Sequence, residues 1–291
     1  MNGVLVIDKP AGMTSHDVVN RVRRLLQEKS VGHLGTLDPM ATGVLPLVLG
    51  RATRLAQFYN ASEKAYEGEI RFGFATDTYD AEGEPAGLPS DARPTLEQVR
   101  AVAGRFCGRI RQTPPPFSAK KIGGVPAYKL ARKKQEVELE PVEIEVKELK
   151  ILGMTPERAH FCARVASGTY MRSIAHEMGQ LLGMGAHLSG LRRTVLAEFD
   201  LADARTLAEV EAASQQGEPE ALFVHLRRLL PGLPGVTATD ESAAMIRAGR
   251  AVNLPEMSNA PRIKVFYGQN QLIAIASRVA GTLFHPRVVF I

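Results

Sequence analysis

The run Gly32-His33-Leu34-Gly35-Thr36-Leu37-Asp38-Pro39-Met40-Ala41-Thr42-Gly43 sets one histidine, one aspartate and three glycines into twelve residues, directly ahead of the apolar stretch 44–49. Glycines let a backbone turn sharply or approach a ligand closely, and Pro39 biases Asp38 toward an extended conformation while removing the next backbone donor. Such a loop holds one carboxylate in a fixed direction. That suits chemistry at the carboxylate, and it equally suits an Asx-type turn in which Asp38 bonds its own backbone. His33, taken alone, is as consistent with a structural histidine. Other chemistries have no support. His176-Glu177 is not a metalloprotease pair, since Gln180 stands where a second His is required, and the seven histidines show no ligand spacing. Cys107 and Cys162 are too few for a thiol zinc site or a disulfide framework. Gly43 to Gly50 carries no Gly-Lys-Ser or Gly-Lys-Thr. The sequence therefore predicts no metal and no cofactor.

A second chemical signal is charge. Residues 105–134 contain Arg105, Arg109, Arg111, Lys120, Lys121, Lys129, Arg132, Lys133 and Lys134 and no acid, a charge of +9, although the whole chain carries 36 basic and 31 acidic residues, a net of +5. A basic block broken by Pro114, Pro115, Pro116 and Gly123-Gly124 reads as a mobile loop and short helix laid against the phosphates of a polyanion, or as a solvated basic face.

The elements that must position these groups follow from periodicity. Residues 3–7 form a short apolar strand closed by Pro10 and Gly12, and Ser15 stands at the N-cap of a helix with Val18, Val19, Val22, Leu25 and Leu26 on one face. Residues 43–49 read as a buried strand, 65–74 as an alternating strand and 95–103 as a helix. Near-alternation of Glu136, Glu138, Glu140, Glu143 and Glu145 with Val137, Leu139, Val142, Ile144 and Val146 marks a half-buried strand. A helix over 171–182 and a strand over 186–196 follow. This order lacks a regular βαβ beat and predicts a mixed-sheet α+β domain. Pro231, Gly232, Pro234 and Gly235 signal a linker, dividing the chain into a domain over 1–232 and a small β-rich unit over 233–291 with its own core. At 291 residues, 45% apolar and 23% charged, the chain has ordinary globular composition, without a signal peptide or an 18-residue apolar span. A cytoplasmic location without membrane contact is expected.

The segment GHLGTLDPMATGVLPLVLGRAT resembles the signature of the bacterial tRNA pseudouridine synthase B family, TruB. The likeness is colinear over roughly 3–200. It includes VIDKPAGMTS at 6–15, KAYEGEIRFG around Tyr66, TDTYDAEG at 76–83, PPPFSA at 114–119 with its basic sequel, SGTYMRSIAHEMG from Ser167 and GAHLSGLRR from Gly185. The tail resembles a PUA domain, a small β-barrel RNA-binding module, with Ala274 and Ala276 where that module commonly has glycine.

The resemblance implies an isomerase that converts uridine to pseudouridine at position 55, in the T-arm loop of tRNA. Asp38 is then the nucleophile, with His33, Tyr66, Tyr170, Arg172 and Leu191 around the target uridine. Tyr66 stacks on the base, Arg172 keeps Asp38 ionised, Leu191 forms an apolar wall, and His33 either fills the stack space left by the flipped base or holds the backbone. Lys9, Lys120, Lys121, Lys129, Arg132, Lys133 and Lys134 are implied RNA contacts, with the tail touching the acceptor side. No obligate protein partner is expected, and the chain is expected to be a monomer. Attack at C6 of the base and attack at C1′ of the sugar both remain open, as does the group that removes the C5 proton. The alternatives are a noncatalytic tRNA-binding or tRNA-folding protein of the same fold, and an aspartate-dependent glycoside hydrolase, which needs a second carboxylate beside Asp38, with Asp77 and Asp80 the candidates.

Overall fold

The computed structural model describes residues 1–118, 120–133, 135 and 139–290. The chain opens with β1 (Gly3–Lys9), α1 (Ser15–Leu26), β2 (Val31–His33), β3 (Thr42–Leu49) and β4 (Lys64–Phe72). After the short pair β5 (Ala75–Thr76) and β6 (Pro85–Ala86) come α2 (Leu96–Gly104), β7 (Gly108–Gln112), a small hairpin of β8 (Lys121–Ile122) and β9 (Val125–Pro126), and α3 (Ala127–Ala131). Then follow β10 (Val142–Met154), β11 (Arg158–Val165), α4 (Met171–Leu181), β12 (Ala186–Leu196), β13 (Phe199–Asp200) and α5 (Leu207–Gln216). The tail holds β14 (Gly235–Ala238), α6 (Asp240–Arg247), β15 (Val252–Asn253), β16 (Arg262–Tyr267), β17 (Gln271–Ala280) and β18 (Leu283–Val289).

The main sheet runs β1-β3-β12-β4-β11-β10-β7, with β2 added to β3 and β13 to β12. Its pairs are antiparallel except β3 with β12, where Thr42 and Gly43 lie beside Arg192 and Arg193. Period two sorts β1 and β3 between two cores. Leu5, Ile7, Leu45, Leu47 and Leu49 pack with Val18, Val22, Ile174 and Met178 on the helix side. Val4, Val6, Val44 and Val48 face the opposite side. Strands covered on both faces read as unbroken apolar runs, which is the pattern of residues 3–7 and 43–49.

The second core corrects the expectation of two independent units. Val4, Val6, Leu55, Tyr59 and Phe199 share one cluster with Phe266, Leu272, Ile275, Val288 and Phe290 of the tail. Polar contacts cross the same seam. The Arg54 guanidinium donates to the Val289 carbonyl at 2.7 Å, and the buried Lys264 ammonium donates to the carbonyls of Leu229 at 2.7 Å and Arg227 at 3.0 Å. The tail sheet, in order β14-β16-β17-β18-β15, has a further core of its own built on Ile246, Ile263, Ile273 and Phe284. The linker therefore separates two sheets that share one core while each keeps a core of its own.

Two local expectations also change. Thr14, not Ser15, caps α1: its hydroxyl accepts from the Asp17 amide while the Asp17 carboxylate accepts from the Thr14 amide, a reciprocal capping box. The first part of the basic block is not a loop. Arg109 and Arg111 lie on β7, an edge strand opposite Glu145 and Glu143 of β10. Opposite charges across paired strands stabilise the pairing, so this part of the +9 segment has a structural partner. The exposed charge that remains, Lys120, Lys121, Lys129, Arg132 and Lys133, sits on and around the β8–β9 hairpin and α3. Lys134, and Glu136 to Glu138 of the alternating acidic run, lie outside the described residues. That run becomes β10 only from Val142.

Candidate active site

Asp38 lies in the loop between β2 and β3, and several ties fix that loop. The buried Ser15 hydroxyl accepts from the Leu37 amide at 2.8 Å and donates to the Leu37 carbonyl at 3.1 Å. The Ala41 amide closes onto the Asp38 carbonyl at 3.1 Å, and the Gly12 amide onto that of Pro39 at 2.9 Å. Arg193, with no solvent exposure, donates to the carbonyls of Val44 at 2.8 Å, Thr36 at 3.3 Å and Gly35 at 2.9 Å. Gly43 lets the loop run into β3 so close to β12. Its φ is +97°, and a Cβ there would stand 2.2 Å from the Arg193 carbonyl oxygen.

Lys9, expected among the RNA contacts, is part of this scaffold instead. It is fully buried, and its ammonium donates to the carbonyls of Pro10 at 2.8 Å, Met13 at 2.5 Å and Pro39 at 3.0 Å. All three N–H bonds of an ammonium are thereby engaged, leaving none for a phosphate. Burial pushes its pKa down to about 8.

Arg172, in the first turn of α4, meets Asp38 at two points. Its Nη2 donates to Asp38 Oδ1 at 3.0 Å, and its Nε lies 2.9 Å from Oδ2. The guanidinium is nearly closed to solvent, with 6% of its side chain exposed, whereas 33% of the Asp38 side chain remains open to the pocket. It also donates to the carbonyls of Thr78 at 3.2 Å and Phe117 at 3.0 Å, and its Nη1 stands 3.5 Å from Asp80 Oδ2. One buried cation thus serves two carboxylates. Asp80 is itself held by the Thr78 hydroxyl at 2.6 Å and the Glu82 amide at 3.1 Å. Buried and committed to these donors, Asp80 is not placed to activate water, which weakens the hydrolase alternative.

Burial in the pocket raises the Asp38 pKa above the ordinary carboxylate range; Arg172 opposes the shift without cancelling it, and Asp80 adds to it. The acid limb of kcat/KM should therefore lie above the free-aspartate value of about 3.9, activity falling as pH drops through it and Asp38 takes up a proton. Asp80→Asn removes one cause of the rise and should move that limb to lower pH. A pH–rate profile that is identical in both proteins would contradict this assignment.

The pocket above Asp38 has a volume of about 300 Å³ and is walled by Tyr66, Phe117, Ser118, Tyr170, Leu191 and Lys64. That is the low end of small-ligand sites, a space for one nucleotide rather than a helix. Tyr66 is buried, and its burial raises the phenol pKa, opposed by the neighbouring Arg193 guanidinium. Tyr170 is locked by its backbone: its amide donates to Gln112 Oε1 at 2.8 Å and its carbonyl accepts from Gln112 Nε2 at 3.1 Å.

Of the residues expected around the uridine, Tyr66, Tyr170, Arg172 and Leu191 meet Asp38 in this pocket. His33 lies on the adjoining outer cleft, which also reaches Asp38, Tyr128 and Arg132. Its Nδ1 accepts from the Gly35 amide at 3.3 Å, and burial lowers its pKa, keeping the ring neutral. Arg132 stands 5.5 Å above the Tyr128 ring, bringing the basic hairpin to this cleft. The sequence offers Asp80 only beside Asp77 as a hydrolase's second carboxylate and Ser15 only as a helix cap, and it does not single out Lys64, Gln112 or Arg193. Asp80 and Lys64 stood inside quoted motifs with nothing in their neighbours to single them out, and Thr14-x-x-Asp17 was a capping-box signal that would have freed Ser15 for its loop contact.

Among the described residues no group of His, Cys, Asp and Glu could hold a metal ion, and no helix is long and apolar enough to cross a membrane.

The model of the N-terminal domain of TruB family pseudouridylate synthases matches residues 23–171, and that of the tRNA pseudouridylate synthase B C-terminal domain matches 172–233. A tRNA pseudouridine synthase B from Solibacter usitatus is 50% identical over 292 aligned residues, 99% of this chain and 100% of the relative. One from Aquifex aeolicus is 38% identical, covering 99% and 100% respectively. Among solved structures, a chain of a Cbf5-Nop10-Gar1 complex superposes with a TM-score of 0.73 at 24% identity, covering 99% of this chain and 85% of that one. That likeness extends the shared fold through the tail.

Proposed function

The chain belongs to the TruB family of pseudouridylate synthases, isomerases of tRNA uridine, and from that premise we propose that it acts at position 55 in the T-arm loop, with Asp38 as nucleophile. The observation that carries this reading is the two-point pairing of Asp38 with the buried Arg172 at the floor of a pocket sized for one nucleotide. Isomerisation breaks the N1–C1′ bond, turns the uracil while it is held, joins C5 to C1′, and exchanges the C5 proton for one on N1. Asp38 supplies the anionic group beside the reacting carbon, and Arg172 fixes its direction. Tyr66 provides the face on which the detached uracil stays stacked, a contact worth about 1–3 kcal/mol per base. Tyr170 and Leu191 enclose the ring.

Reaching this pocket requires the uridine to leave its stack, at a cost of a few kcal/mol that contacts to the backbone offset. Arg132, which lines the outer cleft, and the exposed Lys120, Lys121, Lys129 and Lys133 on and around the β8–β9 hairpin and α3 supply such contacts. Recognition then rests on the shape of the loop and on phosphates more than on base edges. No protein partner is required. The purified chain alone should form pseudouridine at one site of a T-arm hairpin and at none when that uridine is replaced by cytidine; modification elsewhere in the loop would refute the assigned position.

Neutralising Lys120, Lys121, Lys129 and Lys133 together should weaken tRNA binding and flatten the plot of log K against log salt, each lost phosphate contact lowering the slope by roughly 0.7–0.9. An unchanged slope would make this hairpin a solvated face with no part in binding.

A further inference from the structure

One cation of the pocket has no assigned part in this scheme. Lys64 opens β4 two residues before Tyr66, on the same face of the strand, about 6.6 Å along it. Its side chain is half-buried and lines the pocket with Asp38 and Arg172. Its ammonium reaches only the Ser62 carbonyl at 3.3 Å and the Ser167 hydroxyl at 3.4 Å, both long. Among the described residues it has no carboxylate within ion-pair distance. The adjacent Glu63 is directed instead at Lys147, at 2.7 Å, and Arg164, at 3.2 Å. The buried guanidinium of Arg193 repels the Lys64 ammonium. Beside Lys64 on the pocket wall, Gly168 has a φ of +91° with open space where a Cβ would stand, and the neighbouring Thr169 Oγ1 is buried without a hydrogen-bond partner. The under-coordinated ammonium, the unpartnered hydroxyl and the open stretch of backbone belong to residues that line one pocket. Together they lack an anion.

Resting on the reading that a flipped uridine enters this pocket, we propose that Lys64, with the Ser167–Thr169 segment beside it, holds a backbone phosphate flanking the target nucleotide. The strand geometry supplies the reason. Tyr66 presents a face to the base while Lys64, next along the same side of β4, stands where the chain leaves the pocket. The lysine would fix how deeply the nucleotide enters, which makes it a positioning residue. The exposed lysines of the hairpin attract RNA generally; Lys64 would meet one defined phosphate.

The test uses the full chain and T-arm hairpins in which the phosphate on either side of the target uridine is replaced, one at a time, by a neutral methylphosphonate. One replacement should weaken binding to the wild-type protein by about tenfold, the scale of a charge-assisted contact. The same replacement should cost little further in Lys64→Met, because the contact is already gone. Lys64→Met should bind the unmodified hairpin about tenfold more weakly, with a salt slope lower by roughly 0.7–0.9. Lys64→Arg should keep most of the affinity. Burial pushes the Lys64 pKa down to about 8, so the wild type should lose affinity as pH rises through that value, and Lys64→Arg should not. The proposal is overturned if the wild type is indifferent to both methylphosphonates. It is equally overturned if the sensitive replacement weakens Lys64→Met as much as wild type. The first of these outcomes involves no variant, so misfolding of Lys64→Met cannot shield the idea. Turnover of the unmodified hairpin by wild type, read alongside, separates failure of this contact from failure of the underlying activity.

Discussion

Asp38→Asn should reduce turnover of a T-arm hairpin by at least about a thousandfold while changing its Kd by no more than a few-fold. The substitution keeps the volume of the side chain, and an amide oxygen can still accept from Arg172 Nη2, which now lies 3.0 Å from Asp38 Oδ1. Arg172 would not be stranded, since the carbonyls of Thr78 and Phe117 and the Asp80 carboxylate remain around it. What is lost is an anionic oxygen able to form a bond. Phosphate contacts, the Tyr66 face and the hairpin are untouched, so binding should persist. Residual turnover above about one part in a thousand would argue against covalent participation of Asp38, whereas a matched collapse of binding would mean that the carboxylate organises the loop.

Removing residues 233–291 should abolish the stable fold of what remains. Phe266, Leu272, Ile275, Val288 and Phe290 complete the core that holds Val4 and Val6, on the second face of β1, together with Leu55, Tyr59 and Phe199. Burying one such side chain is worth about 1.5–3 kcal/mol, so these five alone supply roughly 8–15 kcal/mol. A whole domain is stable by only about 5–15 kcal/mol. The truncated chain should be aggregation-prone and should lack a cooperative urea transition, even though every pocket residue lies before the cut. Cooperative unfolding of the truncated protein with near-wild-type kcat would instead restore the view that the tail adds binding energy alone.

This outcome turns on what a sequence can and cannot express. The Asp38 loop was legible because its glycines, its proline and the apolar run behind it are local features. The strand at 43–49 was legible for the same reason, and the strand at 186–196 has the bounds that its pattern predicted. The shared core was not legible, because Val6 and Val288 belong to one cluster although more than 280 residues of chain separate them, and nothing near either names the other. Unbroken apolar character in residues 3–7 did signal two covered faces, but not what covers the second. The edge strand β7 was hidden by its composition: Ile110 is flanked by Arg109 and Arg111, whose partners Glu145 and Glu143 are more than thirty residues away. Asp80 illustrates the same limit at the site. In TDTYDAEG one acid is as plausible as the next, and only the fold turns Asp80 toward Arg172 while the Asp77 carboxylate accepts from the Glu84 amide.

The most direct measurement is tritium release from tRNA labelled at C5 of uridine, run with the purified chain and with Asp38→Asn. Forming the C5–C1′ bond must eject the C5 hydrogen, so the wild type should release the tritium of one uridine per tRNA and leave the strand intact, with pseudouridine in the T-arm loop; the variant should release none above background. Neither a tRNA-folding protein nor a hydrolase predicts C5 exchange. Absence of release by the wild type, or the appearance of free uracil in place of pseudouridine, would contradict the account.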